Sequence, residues 1–448
     1  MKPITNMLYS LIVLAGFVLS PHTHAVNPPP DGGYPGGNTA EGQAALLSLT
    51  TGSFNTAVGY LSLRALTQGT LNTGVGAGAL LANVGDVNTA TGAGALLSNT
   101  FGGNNTANGV LALFSNATGA SNTASGSGAL YSNISSDGNT AAGFHALFSS
   151  TAGDNTATGV QALEANTTGV GNTAGGAFAL LSNTTGGQNT GTGISALHDN
   201  VSGMANTAVG WAALFFNNGN SNTALGAGAG QFATTSSDLI CIGDLAGQSI
   251  TTANNVICIG ADGENVPNSC YIGNIFNTTS SGGSAVFVNS NGKLGTSTSS
   301  RRFKEDIKAM DKASEALIAL KPVIFRYKKA IDPAGGLQFG LVAEDVEKVN
   351  PNLVVRDKEG KPYSVRYDQV NAMLLNEFLK EHKRMEEQQR TIGQLKSNAA
   401  KQEGTVSDLK KVVAVLTSQL KQQAAQLQRA IAQLEINKAS SRPGLNDQ

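Results

Sequence analysis

Two hydrophobic rhythms divide the chain. From Asn38 onward, small apolar residues recur at a fixed short interval, in units such as "NTATGAGALLSNTFGGN" from Asn88 to Asn104. Asn-Thr pairs begin at 38, 55, 72, 88, 105, 122, 139, 155, 172, 189, 206 and 222, a spacing of 17 residues and occasionally 16. Each unit offers two short strand-like pieces, Asn-Thr-Ala-x-Gly and x-Ala-Leu-x-x-Asn, separated by Gly and Asn turns. A fixed short period is the signature of a solenoid: no unit can bury its few Ala and Leu side chains alone, whereas stacked units share one thin core. At ~4.8 Å per rung, twelve rungs predict a rod of very roughly 60 Å. After Ser364 the rhythm becomes helical. With Phe378 as heptad position a, the a column runs Phe378, Met385, Ile392, Ala399, Val406, Val413, Leu420, Leu427 and Leu434. An unbroken apolar column of this length predicts a coiled coil and therefore an oligomer, a trimer suiting the repeats best and a dimer left open by the heptads alone.

The residue types suit a narrow stack. Gly takes the positive-φ corners. Asn at a fixed position predicts amide ladders up the column, as in other parallel stacks, and Thr beside it suits a strand. The same Thr column is also open to reading as a flat array for an ordered surface such as ice or a crystalline polysaccharide. The last rungs change to "LICIGDLAG", "VICIGADGEN" and "SCYIGNIF", which puts Cys241, Cys258 and Cys270 in near-equivalent slots. They read as small core residues, with a disulfide between rungs or Cys rings in a trimer as alternatives.

Between the rhythms, residues 299–370 read as a small α+β segment. "FKEDIKAMDKASEALIAL" predicts an amphipathic helix with Ile307, Met310, Ala313, Leu317 and Leu320 on one side. "KPVIFRYK" predicts a strand, "GGLQFGLVAEDVEKVNP" a short strand then a short helix, and "LVVRDKEGKPYSVRYDQV" a hairpin leading into the long helix.

Charge changes the picture in one respect. The net charge of −1 gives no reason to expect nucleic acid or an anionic membrane as partner. Between Asn38 and Ser237, however, only seven residues are charged and none is Lys, and nearly all Lys and Arg follow Gly292. The N-terminus reads as a secretory signal: basic Lys2, an apolar run from Met7 to Leu19, and Thr23-His24-Ala25 as a cleavage site. No later segment has the ~18 apolar residues of a membrane span, so the mature chain is expected to be exported, extracellular or at the cell surface. The five His are scattered without metal spacing, and no cofactor motif is present.

The chemistry gathers at "GTSTSSRRFKEDI", Gly295 to Ile307. Taken bare, Ser299 or Ser300 reads as a helix N-cap and Lys304 as a solvated helix residue. The repeats (38–275) resemble the Gly/Asn/Ala-rich β-roll heads of trimeric autotransporter adhesins of the YadA type, in which three chains pack side by side. That resemblance stops at the far end, where those proteins carry a membrane β-barrel. The segment 299–395 resembles the intramolecular chaperone domain (peptidase family S74) of phage endosialidases and tail fibres. The family opening S-D-x-R-x-K-x-x-I reads Ser299-Ser300-Arg301-Arg302-Phe303-Lys304-Glu305-Asp306-Ile307. "KPVIFRYK", "FGLVAEDVE" and "VRYDQVNAML" follow in order. The resemblance implies a domain that trimerises, templates the fold of the stalk before it and then cuts itself off between Thr298 and Ser299. Ser299 is then the nucleophile and Lys304 the general base, with Arg301 and Arg302 favouring a neutral lysine. The family Asp after the nucleophile is Ser300 here.

The expected chain is therefore a mainly β, homotrimeric exported fibre. It has a signal peptide (1–25), a Pro/Gly linker (26–37), a parallel β-solenoid (38–275) and a connector (276–298). A chaperone and autoprotease domain (299–370), a coiled coil (371–437) and a disordered tail (438–448) follow. Its partners are its own copies and a host surface or glycan. The rival readings are a non-enzymatic adhesin that keeps its C-terminal domain as a clamp, and a binder of repetitive surfaces.

Overall fold

The computed structural model describes residues 34–440. The expected signal peptide, linker residues 26–33 and tail residues 441–448 lie outside them. The chain divides into two compact units between Thr279 and Ser280.

The first unit is a parallel β-solenoid. Fifteen strands, β1 (Thr39–Glu41) to β15 (Ser269–Ile272), lie in chain order in one sheet. Pairing is in register, Thr39 opposite Thr56 and Ala40 opposite Ala57, and so on up the stack. In the Thr-Ala/Gly-x rungs the outer two residues face out and the middle one is buried, the alternation of a strand with one face on a core. The second piece of each unit is not a strand, contrary to expectation. There the backbone turns through leucines with positive φ, such as Leu63 (49°), Leu80 (54°) and Leu113 (51°), and each leucine N–H donates to the alanine carbonyl of the next rung, as Leu63 does to Ala79 at 3.0 Å. A left-handed residue costs roughly 1–2 kcal/mol. Each of these leucines is fully buried, which returns about 1.5–3 kcal/mol. Burial therefore decides the conformation.

Asparagine ladders hold the rungs together. Asn55 Nδ2 donates to Asn38 Oδ1 at 3.0 Å and to the Gly69 carbonyl at 2.9 Å, and the Asn55 N–H also donates to Asn38 Oδ1. A second ladder links Asn99, Asn116 and Asn133. It breaks where Ser150 stands in the next asparagine slot, leaving the buried Asn133 Oδ1 without a partner. Replacing Ser150 with Asn is expected to close the ladder and to raise stability by about 1 kcal/mol in thermal or chemical melts. Aromatic rings stack at the same rung interval: Phe114 on Tyr131 at 5.1 Å and Tyr131 on Phe148 at 4.9 Å.

The cysteines separate by register. Cys241 sits opposite Cys258 in adjacent strands and both are buried, as expected of core residues. Burial pushes the Cys241 thiol up to about 12 and raises Cys258 as well. Cys270 is a correction: it faces Ile257, Tyr271 takes the core slot, and Cys270 is exposed. A one-residue change of register moves a side chain to the other face of a sheet. All three thiols are free.

The second unit opens with the antiparallel hairpin β16 (Val286–Val288) and β17 (Leu294–Thr296). A 3₁₀ turn (Arg301–Phe303) and a 3₁₀ helix (Asp311–Ala319) follow. Next come β18 (Val323–Phe325) paired with β19 (Gln338–Gly340), α1 (Ala343–Val349), β20 (Val354–Arg356) paired with β21 (Pro362–Val365), and α2 (Tyr367–Ser440). Val346, Leu353, Val354, Val365, Val370 and Met373 form its core, with Met310, Leu317 and Leu320 packed against them. α2 has 74 residues, about 110 Å at 1.5 Å per residue. Every residue from Glu381 to Lys438 is exposed, the expected a column included. No helix among the described residues is long and apolar enough to cross a membrane.

Candidate functional site

β17 ends two residues before Thr298 and delivers the chain to Ser299. Ser300 adopts an extended backbone (φ −66°, ψ 139°), and its side chain makes no cap hydrogen bond to the turn that follows. The helix-cap reading thus fails for Ser300. The Arg301–Phe303 turn is closed by the Phe303 N–H donating to the Ser300 carbonyl at 3.0 Å and the Lys304 N–H to the Arg301 carbonyl at 3.1 Å. Lys304 itself is extended (φ −125°, ψ 138°). The chain therefore folds back, and Lys304 Nζ donates to Ser299 Oγ at 3.0 Å.

This corrects the expected helix over residues 303–320. Lys304 lies past the end of one short 3₁₀ turn and not within a helix. Asp306, at φ 50°, interrupts the segment, and the 3₁₀ helix begins only at Asp311. The two arginines do not both face the pair: the Arg302 guanidinium lies over the Phe303 ring, 4.6 Å from its centroid. Thr298, Ser299, Ser300, Arg301, Arg302 and Lys304 are all exposed in the single chain. A lysine hydrogen-bonded to a serine hydroxyl is the minimum constellation for an activated nucleophile.

A second polar cluster escaped the sequence reading. Ser314, on the 3₁₀ helix, is fully buried. Its Oγ donates to Glu377 Oε1 at 2.5 Å and accepts from Asn376 Nδ2 at 2.6 Å. Lys380 Nζ reaches Glu377 at 2.8 Å and Glu315 at 3.7 Å. The signal in the sequence was a lone serine on the apolar side of the segment, between Ala313 and Leu317. Hydrogen bonds from Lys380 and then Ser314 hold the Glu377 carboxyl below the usual glutamate range. A depressed pKa means that the contact contributes stability above the unfolded value of about 4.3 and loses it as pH falls below that. Protection factors for amide exchange across Asp311–Ala319 are therefore expected to fall below about pH 4, and Ser314→Ala is expected to weaken that acid step. Among the described residues, no group of three or more His, Cys, Asp or Glu is placed to hold a metal ion.

Comparison with known proteins bears on residues 299–355, which match the family model described as the chaperone of endosialidase (peptidase S74). No curated protein and no solved structure matches the chain. The matched segment contains Ser299, Lys304, the 3₁₀ helix, β18, β19 and α1. After its parallel β-solenoid, the chain thus carries at residues 299–355 a segment that matches the endosialidase-chaperone family.

Proposed function

We propose that the chain is an exported homotrimeric fibre whose C-terminal unit templates trimer assembly and then releases itself by cutting between Thr298 and Ser299. The observation that carries the catalytic part is the 3.0 Å contact between Lys304 Nζ and Ser299 Oγ, within a segment of the family that the motif suggests. The exposed apolar a column of α2 supports the trimer: such a stripe on a helix of this length is stable in water only against other copies.

The chemistry follows from the position of Ser299, one residue after the carbonyl under attack. Ser299 Oγ bonds to the Thr298 carbonyl carbon while Lys304 Nζ takes the hydroxyl proton. The carbon–nitrogen bond to Ser299 then breaks and the proton passes to the departing amine, leaving Thr298 esterified to the Ser299 oxygen. Water hydrolyses the ester to a Thr298 carboxylate and a new amino terminus at Ser299. A lysine acts as a base only where burial or nearby cations favour its neutral form. Both members of the pair are exposed in one chain. Packing of three copies around the site would supply the burial, so that cleavage follows assembly and proofreads it.

Intact masses of the chain lacking residues 1–25, measured beside Ser299→Ala, test this. The reading requires two fragments meeting at Thr298/Ser299 in the parent and one uncut chain in the variant. Uncut trimers in both would leave a chaperone and clamp without chemistry, and monomers in both would remove the assembly reading as well.

A further inference from the structure

One rung of the solenoid departs from the others in its buried polar corner. In a full-length rung the two ladder amides converge on one loop carbonyl. Asn155 Nδ2 and Asn166 Nδ2 donate to the Gly169 carbonyl at 2.9 and 3.0 Å, and Asn172 and Asn183 donate to that of Gly186, each at 2.9 Å. The rungs that start at Asn72, Asn139 and Asn206 have 16 residues instead of 17. In two of these the amide of the next rung closes the shortened corner: Asn88 Nδ2 donates to Asn83 Oδ1 at 3.3 Å, and Asn222 Nδ2 to Asn217 Oδ1 at 3.0 Å. In the third, the position of Asn83 and Asn217 is held by Ser150. Ser150 Oγ makes only long bonds, with Ala152 at 3.3 and 3.4 Å and with Asn166 Nδ2 at 3.3 Å. Two fully buried atoms at this corner have no partner in the protein, Asn133 Oδ1 of the preceding rung and Asn139 Nδ2. The orientation of both amides is fixed by their other bonds. Asn133 Nδ2 donates to Asn116 Oδ1 at 2.8 Å and to the Ser136 carbonyl at 3.0 Å, and Asn139 Oδ1 accepts from the Asn155 N–H at 3.0 Å. The two unpaired atoms are thus one acceptor and one donor.

We infer that this corner is a binding site for one water molecule, which accepts from Asn139 Nδ2, donates to Asn133 Oδ1 and meets Ser150 Oγ. The first reason is direction. In a regular rung the oxygen equivalent to Asn133 Oδ1 accepts from the next ladder amide, as Asn99 Oδ1 does from Asn116, and the nitrogen equivalent to Asn139 Nδ2 donates to the loop carbonyl. Both atoms therefore face the corner that residue 150 and its shortened loop line. The second reason is chemistry. An anion would accept from Asn139 but has no proton for Asn133 Oδ1, and a metal cation would suit the oxygen but not the amide N–H. Water does both, and a buried water typically makes about three hydrogen bonds, the number of groups at this corner. The third is room. Serine carries two heavy atoms fewer than asparagine, space on the order of one water, whose share of liquid volume is ~30 Å³. Without it, two buried polar groups would bear their full desolvation cost. The water also makes the second ladder continuous across its one serine, from Asn116 and Asn133 through Ser150 to Asn166 and Asn183.

A crystal structure of the chain lacking residues 1–25, at a resolution that shows ordered waters, tests this. The corner lies inside the solenoid, so the test does not depend on whether the chain is cut at Thr298/Ser299 or on how copies assemble. The inference expects a single peak of density at hydrogen-bond distance, ~2.7–3.2 Å, from both Asn133 Oδ1 and Asn139 Nδ2. In crystals of Ser150→Asn the peak is expected to disappear, with the introduced amide donating directly to Asn133 Oδ1. A parent map with no peak at the corner, or with Asn133 Oδ1 bonded to a donor of the protein, would overturn the site. A peak that persists beside the introduced amide would overturn the claim that water stands in for it. The parent map decides the matter by itself if the variant does not fold.

Discussion

Replacing Lys304 with Met is expected to slow the split at Thr298/Ser299 by about 10²–10⁴, the contribution of a positioned general base. The methionine keeps much of the aliphatic length and removes the amine, so the 3.0 Å contact with Ser299 Oγ disappears while the local backbone keeps its own hydrogen bonds. Equal rates in parent and variant would remove Lys304 from the chemistry. Ser300 gives a finer test on the same time course. It stands where the family motif has Asp and its hydroxyl makes no cap bond, so Ser300→Asp is expected to leave the fold intact and to speed cleavage.

The second large effect concerns the stack. Gly76→Ala is expected to destabilise the solenoid by about 3 kcal/mol or more, since it adds a strained backbone to a backbone clash. Gly76 has φ +132°, and its new Cβ would meet the Gly92 carbonyl at 2.6 Å, atoms that belong to the next rung and not to a flexible side chain. Stability in a stack is a sum of nearest-neighbour terms, so the loss falls on the junction between the third and fourth rungs. Gly78 is the control. It has φ +69°, but a Cβ there would lie 3.4 Å from Leu97, and the equivalent position is filled by Leu111 and Phe178 with the same sign of φ. Gly78→Ala is expected to cost a third of that or less. Denaturant melts of the two variants check the contrast, and equal losses would mean that strain, and not rung contact, sets the cost.

Much of the architecture was legible in the residues. The Asn-Thr interval determined the rung and its in-register stacking, because only a fixed spacing returns the same side chain to the same place. The fixed asparagines determined the ladders, since a buried amide must find a partner and its own copy in the next rung is nearest. The apolar a column determined one long helix. Ser299 and Lys304 came from a motif, and the motif carries their identity but not their geometry. Tertiary structure decided the rest. The Ala-Leu piece turns instead of forming a strand because burying each leucine outweighs its backbone strain. Cys270 leaves the core because the last strand pairs one residue out of step with the preceding repeat. The segment after Lys304 fails to form the expected helix because a helix of that length is marginal by itself, and packing of Met310, Leu317 and Leu320, with Ser314 bonded to α2, selects a 3₁₀ path instead. The separate turn at Arg301–Phe303 brings Lys304 back to Ser299. A sequence pattern states which residues are apolar and how often they recur; which backbone conformation buries them best is decided only when the neighbouring elements are in place.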